Sequence, residues 1–308
     1  MKIIHCLNWE LKEIIKNLPL IKEQGFDTIQ INPLQPLKET GGPGEWWLSY
    51  QPVSFEIGNY FGTKEDLKEL TETAGYYDIR IISDVVCNHL AQNNDGTLNP
   101  HPLVPEKYRN NPNFWKEKRN VYDWNNRYEV INYCMGLPGL NVNNNEVKKE
   151  IFKFLDELVE SGVKGFRFDA AKSIGLPEEG VSFWKEIQQR YSKDDFIIYG
   201  EVIFGSTELI DAYTKYMMVL TNEYFGNNHN KIINFAESHD TFLSHDQLGY
   251  TKHRSNEEIA WDYASRSENF ENMLLYARPW DKTLPWEENW KLKIIKDANK
   301  KNVKQYIR

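Results

Sequence analysis

The chain of 308 residues can bury one large core or two modest ones. Its net charge of −8 makes a nucleic-acid backbone an unfavourable partner, so we predict no nucleic-acid binding. No apolar run approaches the ~18 residues that span a bilayer, and the N-terminus lacks the features of a signal peptide. Three scattered cysteines, Cys6, Cys87 and Cys134, form neither a disulfide framework nor a metal-ligand spacing. We therefore expect a cytoplasmic protein with reduced thiols and no membrane partner.

Strands and amphipathic helices alternate along the chain. The predicted strands, taken from apolar runs, are 3–7, 28–32, 80–86, 165–170, 196–202, 217–220, 232–237 and 272–276. The predicted helices, taken from helical periodicity, are 11–23, 63–74, 146–160, 181–191, 207–216, 256–267 and 287–300. This alternation implies a parallel sheet, and eight repeats imply an α/β fold closed into a (β/α)8 TIM barrel.

Two segments depart from the regular alternation. Residues 90–144 are not periodic, are rich in Asn, Pro, Trp and Tyr, and exceed the usual loop length. We predict that they form a small inserted domain after the third strand, within a barrel domain spanning 1–308. Between the sixth and seventh strands only about eleven residues remain, 221–231, whereas a parallel crossover needs about a dozen or more. The sixth helix is therefore predicted to be reduced to a turn, which would expose apolar barrel surface unless another segment covers it.

The fourth predicted strand carries two charged side chains on one face. Phe166 and Phe168 alternate with Arg167 and Asp169, so Arg167 and Asp169 point the same way. A cation beside a buried carboxylate lowers its pKa and keeps it ionised, as a nucleophilic carboxylate requires. A purely structural Arg–Asp pair is the alternative, and this strand alone does not separate the two.

Polar side chains gather where four predicted strands end: Asp84, Asn88, His89, Arg167, Asp169, Lys172, Glu201, His239 and Asp240. In a barrel these ends converge on the C-terminal face, the usual place of catalysis. One such cluster alone would be explained by capping or salt bridges, but four at four strand ends indicate a functional site. Asp169 and Glu201 lie on neighbouring strands, where a separation of ~5 Å would suit a retaining glycosidase.

Four ordered segments, 84–89, 165–172, 200–202 and 237–241, resemble the conserved motifs of the α-amylase family of glycoside hydrolases (family thirteen). The loop carrying Tyr50-Gln51-Pro52 also resembles the family's loop after strand two. The residues at 237–241, 264–267 and 277–279 are most similar to those of bacterial α-amylases of the Bacillus subtilis type. The resemblance covers about residues 1–280.

The resemblance implies a role for each matching residue. Asp169 would be the nucleophile, Glu201 the general acid/base, and Asp240 a third carboxylate that binds sugar hydroxyls and helps to distort the ring. Substrate-binding roles are implied for Tyr50, Gln51, His89, Arg167, Lys172 and His239. The implied reaction is retaining hydrolysis of α-1,4-glucosidic bonds in starch, glycogen or maltooligosaccharides. That chemistry needs a low pKa at Asp169 and a raised one at Glu201.

Other interpretations stay open. The same motifs serve α-glucosidases and transglycosylases, and a non-catalytic relative could instead bind glucan or a partner protein. All three carboxylates are present, which favours an enzyme. The lysine-rich tail at 291–304 indicates a solvated helix face rather than a nucleic-acid site. The chain also ends soon after the eighth strand without the family's C-terminal β-sandwich, so we expect either a compact protein or a shortened product of a longer gene.

The family's calcium site resembles Asn88 together with a carboxylate from the inserted segment. Here Gly139 stands where related enzymes commonly have Asp, and Ser173 replaces a His that gives its backbone carbonyl. A hard cation needs several oxygen ligands, so losing a carboxylate weakens Ca2+ binding. Asn88 is then either a remaining metal ligand or a hydrogen-bond partner of the inserted domain. We predict that no cofactor is required and that a chelator changes activity little, with bound Ca2+ as the open alternative.

Overall fold

The computed structural model describes residues 1–39, 45–193, 195–243 and 254–277. The strands in this part of the chain are β1 (Lys2–His5), β2 (Thr28–Ile31), β3 (Arg80–Val85), β4 (Glu117–Asn120), β5 (Tyr133–Cys134), β6 (Gly165–Phe168), β7 (Ile197–Glu201), β8 (Met218–Leu220), β9 (Ile232–Phe235) and β10 (Asn272–Tyr276). All except β4 and β5 belong to one closed barrel, in the order β1-β10-β9-β8-β7-β6-β3-β2. Every neighbouring pair is parallel. The predicted (β/α)8 barrel is confirmed.

The helices surround this barrel or lie in the inserted segment. In the described part of the chain they are α1 (Leu11–Glu23), α2 (Lys64–Tyr76), α3 (Glu106–Arg109), α4 (Arg127–Asn132), α5 (Asn145–Glu160), α6 (Phe183–Tyr191), α7 (Thr207–Thr214), α8 (His239–Leu243) and α9 (Asn256–Ser267). None of them combines the length and apolarity of a membrane span. The predicted helix 287–300 and the tail at 291–304 lie outside the described residues.

Alternation along each strand separates two apolar layers. Phe166 packs edge-on against Tyr191 of α6 and Phe168 against Trp184, so both rings face the helix layer. Arg167 lies between them in sequence and is 1% exposed. It faces the opposite side, the barrel interior, because successive strand residues point to opposite faces. The barrel therefore presents Arg167 inward, towards the ends of the neighbouring strands.

The sixth helix is reduced as predicted. Between β8 and β9 the chain forms only a short 3-10 turn, His229–Lys231. Tyr224 is buried, and its hydroxyl donates to Asp211 of α7 and accepts from the backbone N–H of Asn228. The His229 ring packs between Tyr224 and Phe270. These side chains cover the barrel surface that a helix would otherwise protect.

Residues 90–144 leave the barrel after β3 and return to it before α5. They contain α3, α4 and the two-stranded parallel pair β4–β5. A backbone hydrogen bond connects the segment to the barrel: the N–H of Leu140 donates to the Asn88 carbonyl at 2.8 Å. Its status as a separate domain, and the division at 90–144, remain predictions.

Candidate active site

Arg167 is the centre of a cluster of carboxyl groups at the C-terminal ends of β3, β6 and β7. Its Nη1 donates to Asp84 Oδ1 at 2.9 Å and to Asp169 Oδ1 at 3.0 Å. Its Nη2 lies 3.0 Å from Glu201 Oε2. Asp84 and Arg167 are register partners on adjacent strands, which brings their side chains together although 83 residues separate them. One guanidinium thus joins carboxylates from three strands, while the predicted ~5 Å between the Asp169 and Glu201 carboxyl groups remains a prediction.

Asp84 is the fully buried member of this cluster, and it accepts hydrogen bonds from two further side chains. Its Oδ2 accepts from the Tyr50 hydroxyl at 2.9 Å and from Gln30 Nε2 at 3.2 Å. The Tyr199 hydroxyl donates to Gln30 Oε1 at 2.7 Å and completes the network. Sequence reasoning missed Gln30 and Tyr199. The signal was a polar residue inside the apolar β2, where the inward position needs a hydrogen-bond partner.

The backbone turn after Asp169 connects it to Glu201. Ala170 has φ 46° and ψ 37°, the left-handed region that side chains other than Gly rarely adopt. Its N–H donates to Glu201 Oε2 at 2.9 Å. Such a conformation costs about 1–2 kcal/mol, and here it ends β6 at Phe168, two residues earlier than predicted. The strained turn fixes the Glu201 carboxylate beside the end of β6.

Burial raises the pKa of two of the predicted site carboxyl groups, Asp169 and Asp240. Burial raises the pKa of Asp169 well above its usual value; Arg167 lowers this pKa, whereas the neighbouring carboxylates raise it further. Burial, followed by the Glu201 charge, raises the pKa of Asp240 to about 7. The direction at Asp169 is opposite to the one predicted, because the structure places several carboxyl groups around one guanidinium. The ionised form of Asp169 therefore depends on Arg167, whose effect burial and the neighbouring carboxylates oppose.

Aromatic rings form one wall of the site. The Tyr50 ring stacks on His239 with centroids 5.3 Å apart and an interplanar angle of 5°. Trp46 meets the His239 ring edge-on at 5.1 Å, and His5 does so from another side at 5.2 Å. Burial lowers the pKa of His239 well below its usual value. Trp46 and His5 were also missed from the sequence, although His5 ends β1 as His239 follows β9.

His89 supports the same wall from the end of β3. Its Nε2 lies 2.9 Å from the Tyr50 carbonyl oxygen, which can only accept, so Nε2 carries the hydrogen. Burial lowers the pKa of His89 to about 4. His89 and His239 are therefore neutral at pH 7 and act as hydrogen-bonding groups rather than cations.

The remaining predicted site residues lie around this centre in different ways. The Asp240 side chain is 33% exposed, and its Oδ2 is 3.5 Å from His239 Nε2. Gln51 is buried, directly after Tyr50. Lys172 donates to the Ile203 carbonyl at 2.8 Å rather than to a carboxylate. Its ammonium also lies 5.5 Å from the Trp124 ring centroid.

Asn88 contacts a lysine of the inserted segment. Its Oδ1 accepts from Lys116 Nζ at 2.8 Å, and the same nitrogen donates to the Ser173 carbonyl at 2.6 Å. Burial lowers the pKa of Lys116 to about 7. The backbone N–H of Lys116 donates to the Gly139 carbonyl at 2.8 Å. Sequence reasoning did not identify Lys116.

Comparison with known proteins identifies the family of the chain. The family model described as alpha amylase, catalytic domain, matches residues 9–277. An alpha-amylase of Clostridium acetobutylicum is 31% identical over 270 residues, covering 78% of this chain and 35% of that protein. An alpha-amylase-related protein of Drosophila auraria is 30% identical over 187 residues, covering 56% of this chain and 37% of that protein. The chain belongs to the α-amylase family of glycoside hydrolases, and it spans about a third of the length of these curated relatives.

Solved structures share the fold at lower identity. An α-amylase from Geobacillus thermoleovorans, solved in complex with acarbose, has a TM-score of 0.73 at 20% identity, over 99% of this chain and 78% of that one. An Anoxybacillus α-amylase has a TM-score of 0.74 at 20% identity, over 97% of this chain and 71% of that one. The described residues therefore share the barrel fold of these enzymes.

Proposed function

We propose that the protein is a retaining glycoside hydrolase that cleaves α-1,4-glucosidic bonds in starch, glycogen or maltooligosaccharides. The observation that carries this proposal is the pair Asp169 and Glu201, from neighbouring strands, each 3.0 Å from a different terminal nitrogen of Arg167. Two carboxyl groups beside one sugar-binding wall are the minimum that retaining hydrolysis requires. A solved α-amylase I of Eisenia fetida, a structural neighbour with a TM-score of 0.70, is a complex with maltohexaose.

The proposed reaction divides the work between these two carboxyl groups. Asp169 attacks the anomeric carbon while Glu201 donates a proton to the leaving glycosidic oxygen, which forms a covalent glycosyl-enzyme. Glu201 then takes a proton from water, and the water releases the sugar from Asp169. Arg167 favours the ionised form of Asp169 from 3.0 Å.

The wall and the neutral histidines orient the sugar in this proposal. Tyr50 offers an apolar ring face that its stacking on His239 holds in place. His89 and His239 are uncharged near neutral pH, so they line the site without adding positive charge beside Asp169. Asp240, at the exposed edge of the cluster, is placed to accept hydrogen bonds from sugar hydroxyls.

The test is reducing-sugar release from soluble starch and from a short maltooligosaccharide. We expect activity from the wild type, and a loss of about 10³-fold or more in Asp169→Asn and Glu201→Gln with unchanged unfolding temperature. Asp78→Asn, at a side chain that is 93% exposed, is the matched control and keeps full activity. NMR of the first product should show the α-anomer.

Each contrary result has a distinct meaning. Comparable activity in Asp169→Asn would rule out its role as nucleophile, and an initial β-anomer would rule out retention. A preference for the short substrate would favour an α-glucosidase, and longer products a transglycosylase. No release from a folded wild-type protein would favour a glucan-binding or partner-binding relative without catalysis.

A further inference from the structure

Three positions that correspond to the family's calcium site contact one lysine, two of them through its side-chain nitrogen and the third through its backbone. Lys116 Nζ is 2.8 Å from Asn88 Oδ1 and 2.6 Å from the Ser173 carbonyl oxygen. The Lys116 backbone N–H donates to the carbonyl of Gly139, the third position, at 2.8 Å. The inserted segment and the ends of β3 and β6 are thus joined through a single side chain.

This donor set does not fit a hard cation. Ca2+ takes six to eight oxygen ligands, commonly with carboxylates among them. Asn88 and Ser173 contribute two neutral oxygens here, and Lys116 already uses both. In the described ranges, no group of three or more His, Cys, Asp or Glu side chains could hold a metal ion.

The lysine and the glycine are sterically linked. A Cβ added to Gly139 would lie 2.7 Å from Lys116 Cδ and 3.1 Å from its Cγ. An aspartate at position 139 and the observed Lys116 conformation therefore exclude each other. The glycine that removes a calcium ligand also makes the room through which the lysine reaches Asn88.

We propose that Lys116 takes the place of the calcium ion, so that its side-chain nitrogen cross-links the inserted segment to the barrel and no bound calcium is required. The amine has at least two N–H donors in either protonation state, enough for both acceptors. The same link positions the substrate-binding wall, because Asn88 directly precedes His89 and donates through Nδ2 towards His89 Nδ1 at 3.4 Å.

The first experiment measures calcium binding and stability of the wild type. We expect no heat of binding when Ca2+ is titrated into chelator-treated protein, and an unfolding temperature that chelator and millimolar Ca2+ both leave unchanged. One bound Ca2+ per chain, with a fall in unfolding temperature on chelation, would overturn the proposal. These readouts need no catalytic activity and no variant.

The second experiment compares two lysines from the same stretch of chain. Lys116→Ala leaves two buried acceptors without a donor, and we expect its unfolding temperature to fall by roughly 5–10 °C. Lys118→Ala is the matched control, since Lys118 is exposed and its Nζ donates to the exposed Asn99 side chain at 2.8 Å. We expect no shift for the control and a raised KM in Lys116→Ala with a smaller change in kcat. Equal unfolding temperatures for the two variants would contradict the role of Lys116.

A double variant tests whether lysine and metal compete for one position. Lys116→Ala combined with Gly139→Asp removes the lysine and restores a carboxylate beside Asn88. We expect this protein to bind one Ca2+ and to regain stability when Ca2+ is added, whereas Lys116→Ala alone does not. A folded double variant that neither binds Ca2+ nor gains stability from it would show that the lysine does not occupy a cation position.

Discussion

Asp240 should lower the stability of the folded protein at neutral pH, and Asp240→Asn should restore it. Its carboxyl group has a folded-state pKa of about 7 against an ordinary value of 3.8, chiefly because of burial. The unfolded chain therefore loses this proton first as pH rises. Between about pH 4 and pH 7 the folded state holds more protons, so the free energy of unfolding falls with rising pH. Asparagine does not ionise, and the variant escapes this loss.

The size of the effect follows from the difference between the two pKa values. At about 1.4 kcal/mol per pKa unit, the full difference corresponds to at most about 4 kcal/mol above pH 7. Because the Asp240 side chain is 33% exposed, solvent screening reduces this to roughly 2 kcal/mol. For a domain of this size, that is a rise of about 4 °C in unfolding temperature.

Thermal unfolding of wild type and Asp240→Asn at pH 4 and pH 8 tests this reasoning. The variant should match the wild type near pH 4 and exceed it by about 4 °C near pH 8. Asp78→Asn, a change of the same type at an exposed position, should follow the wild type throughout. Parallel pH dependences for wild type and Asp240→Asn would refute the raised pKa. The stabilised variant should also lose activity if Asp240 binds sugar as proposed.

Two further predictions follow from the site and the barrel. Arg167→Lys loses the two-nitrogen guanidinium that reaches both Asp169 and Glu201, so the pKa of Asp169 should rise. The acid limb of the pH profile of kcat/KM should therefore move to higher pH, with about a 10²-fold loss at pH 7. An acid limb at the wild-type pH would contradict the electrostatic role of Arg167. Tyr224→Ala removes a buried ring that covers the barrel where the sixth helix is reduced, and thermal unfolding should show a loss of about 3 kcal/mol in stability. Phe225→Ala is the control, because that ring is 86% exposed and its removal should not change stability measurably. Equal losses would mean that Tyr224 does not cover the core.

Local periodicity of the sequence predicted most of the fold. The helix at 11–23, the helix at 256–267 and the strand at 272–276 are observed with the predicted bounds. Apolar alternation and helical spacing are properties of consecutive residues, so a sequence displays them directly. Deviations occur where a tertiary contact decides the backbone, as at Ala170, whose left-handed turn faces Glu201 and ends β6 early.

The sequence likewise predicted some features of the candidate site and not others. The four motifs indicated which residues gather at the strand ends, because a barrel brings those ends to one face. They did not show that Gln30 and Tyr199 complete the hydrogen-bond network of Asp84, since these partners are 169 residues apart. They also gave the wrong direction for the pKa of Asp169, which depends on burial and on the charges of other strands.

The sequence by itself determined the barrel and the family, because both appear in short patterns of neighbouring residues. The same patterns predict the three carboxylates, and their catalytic roles stay predictions. Only the tertiary structure decided which charges share one guanidinium and which acceptors share the Lys116 side-chain nitrogen. Lys116 is 28 residues from Asn88 and 57 from Ser173, so no local pattern relates them. Their contact exists because the inserted segment folds back onto the ends of β3 and β6, and long-range packing of that kind is set by the whole chain.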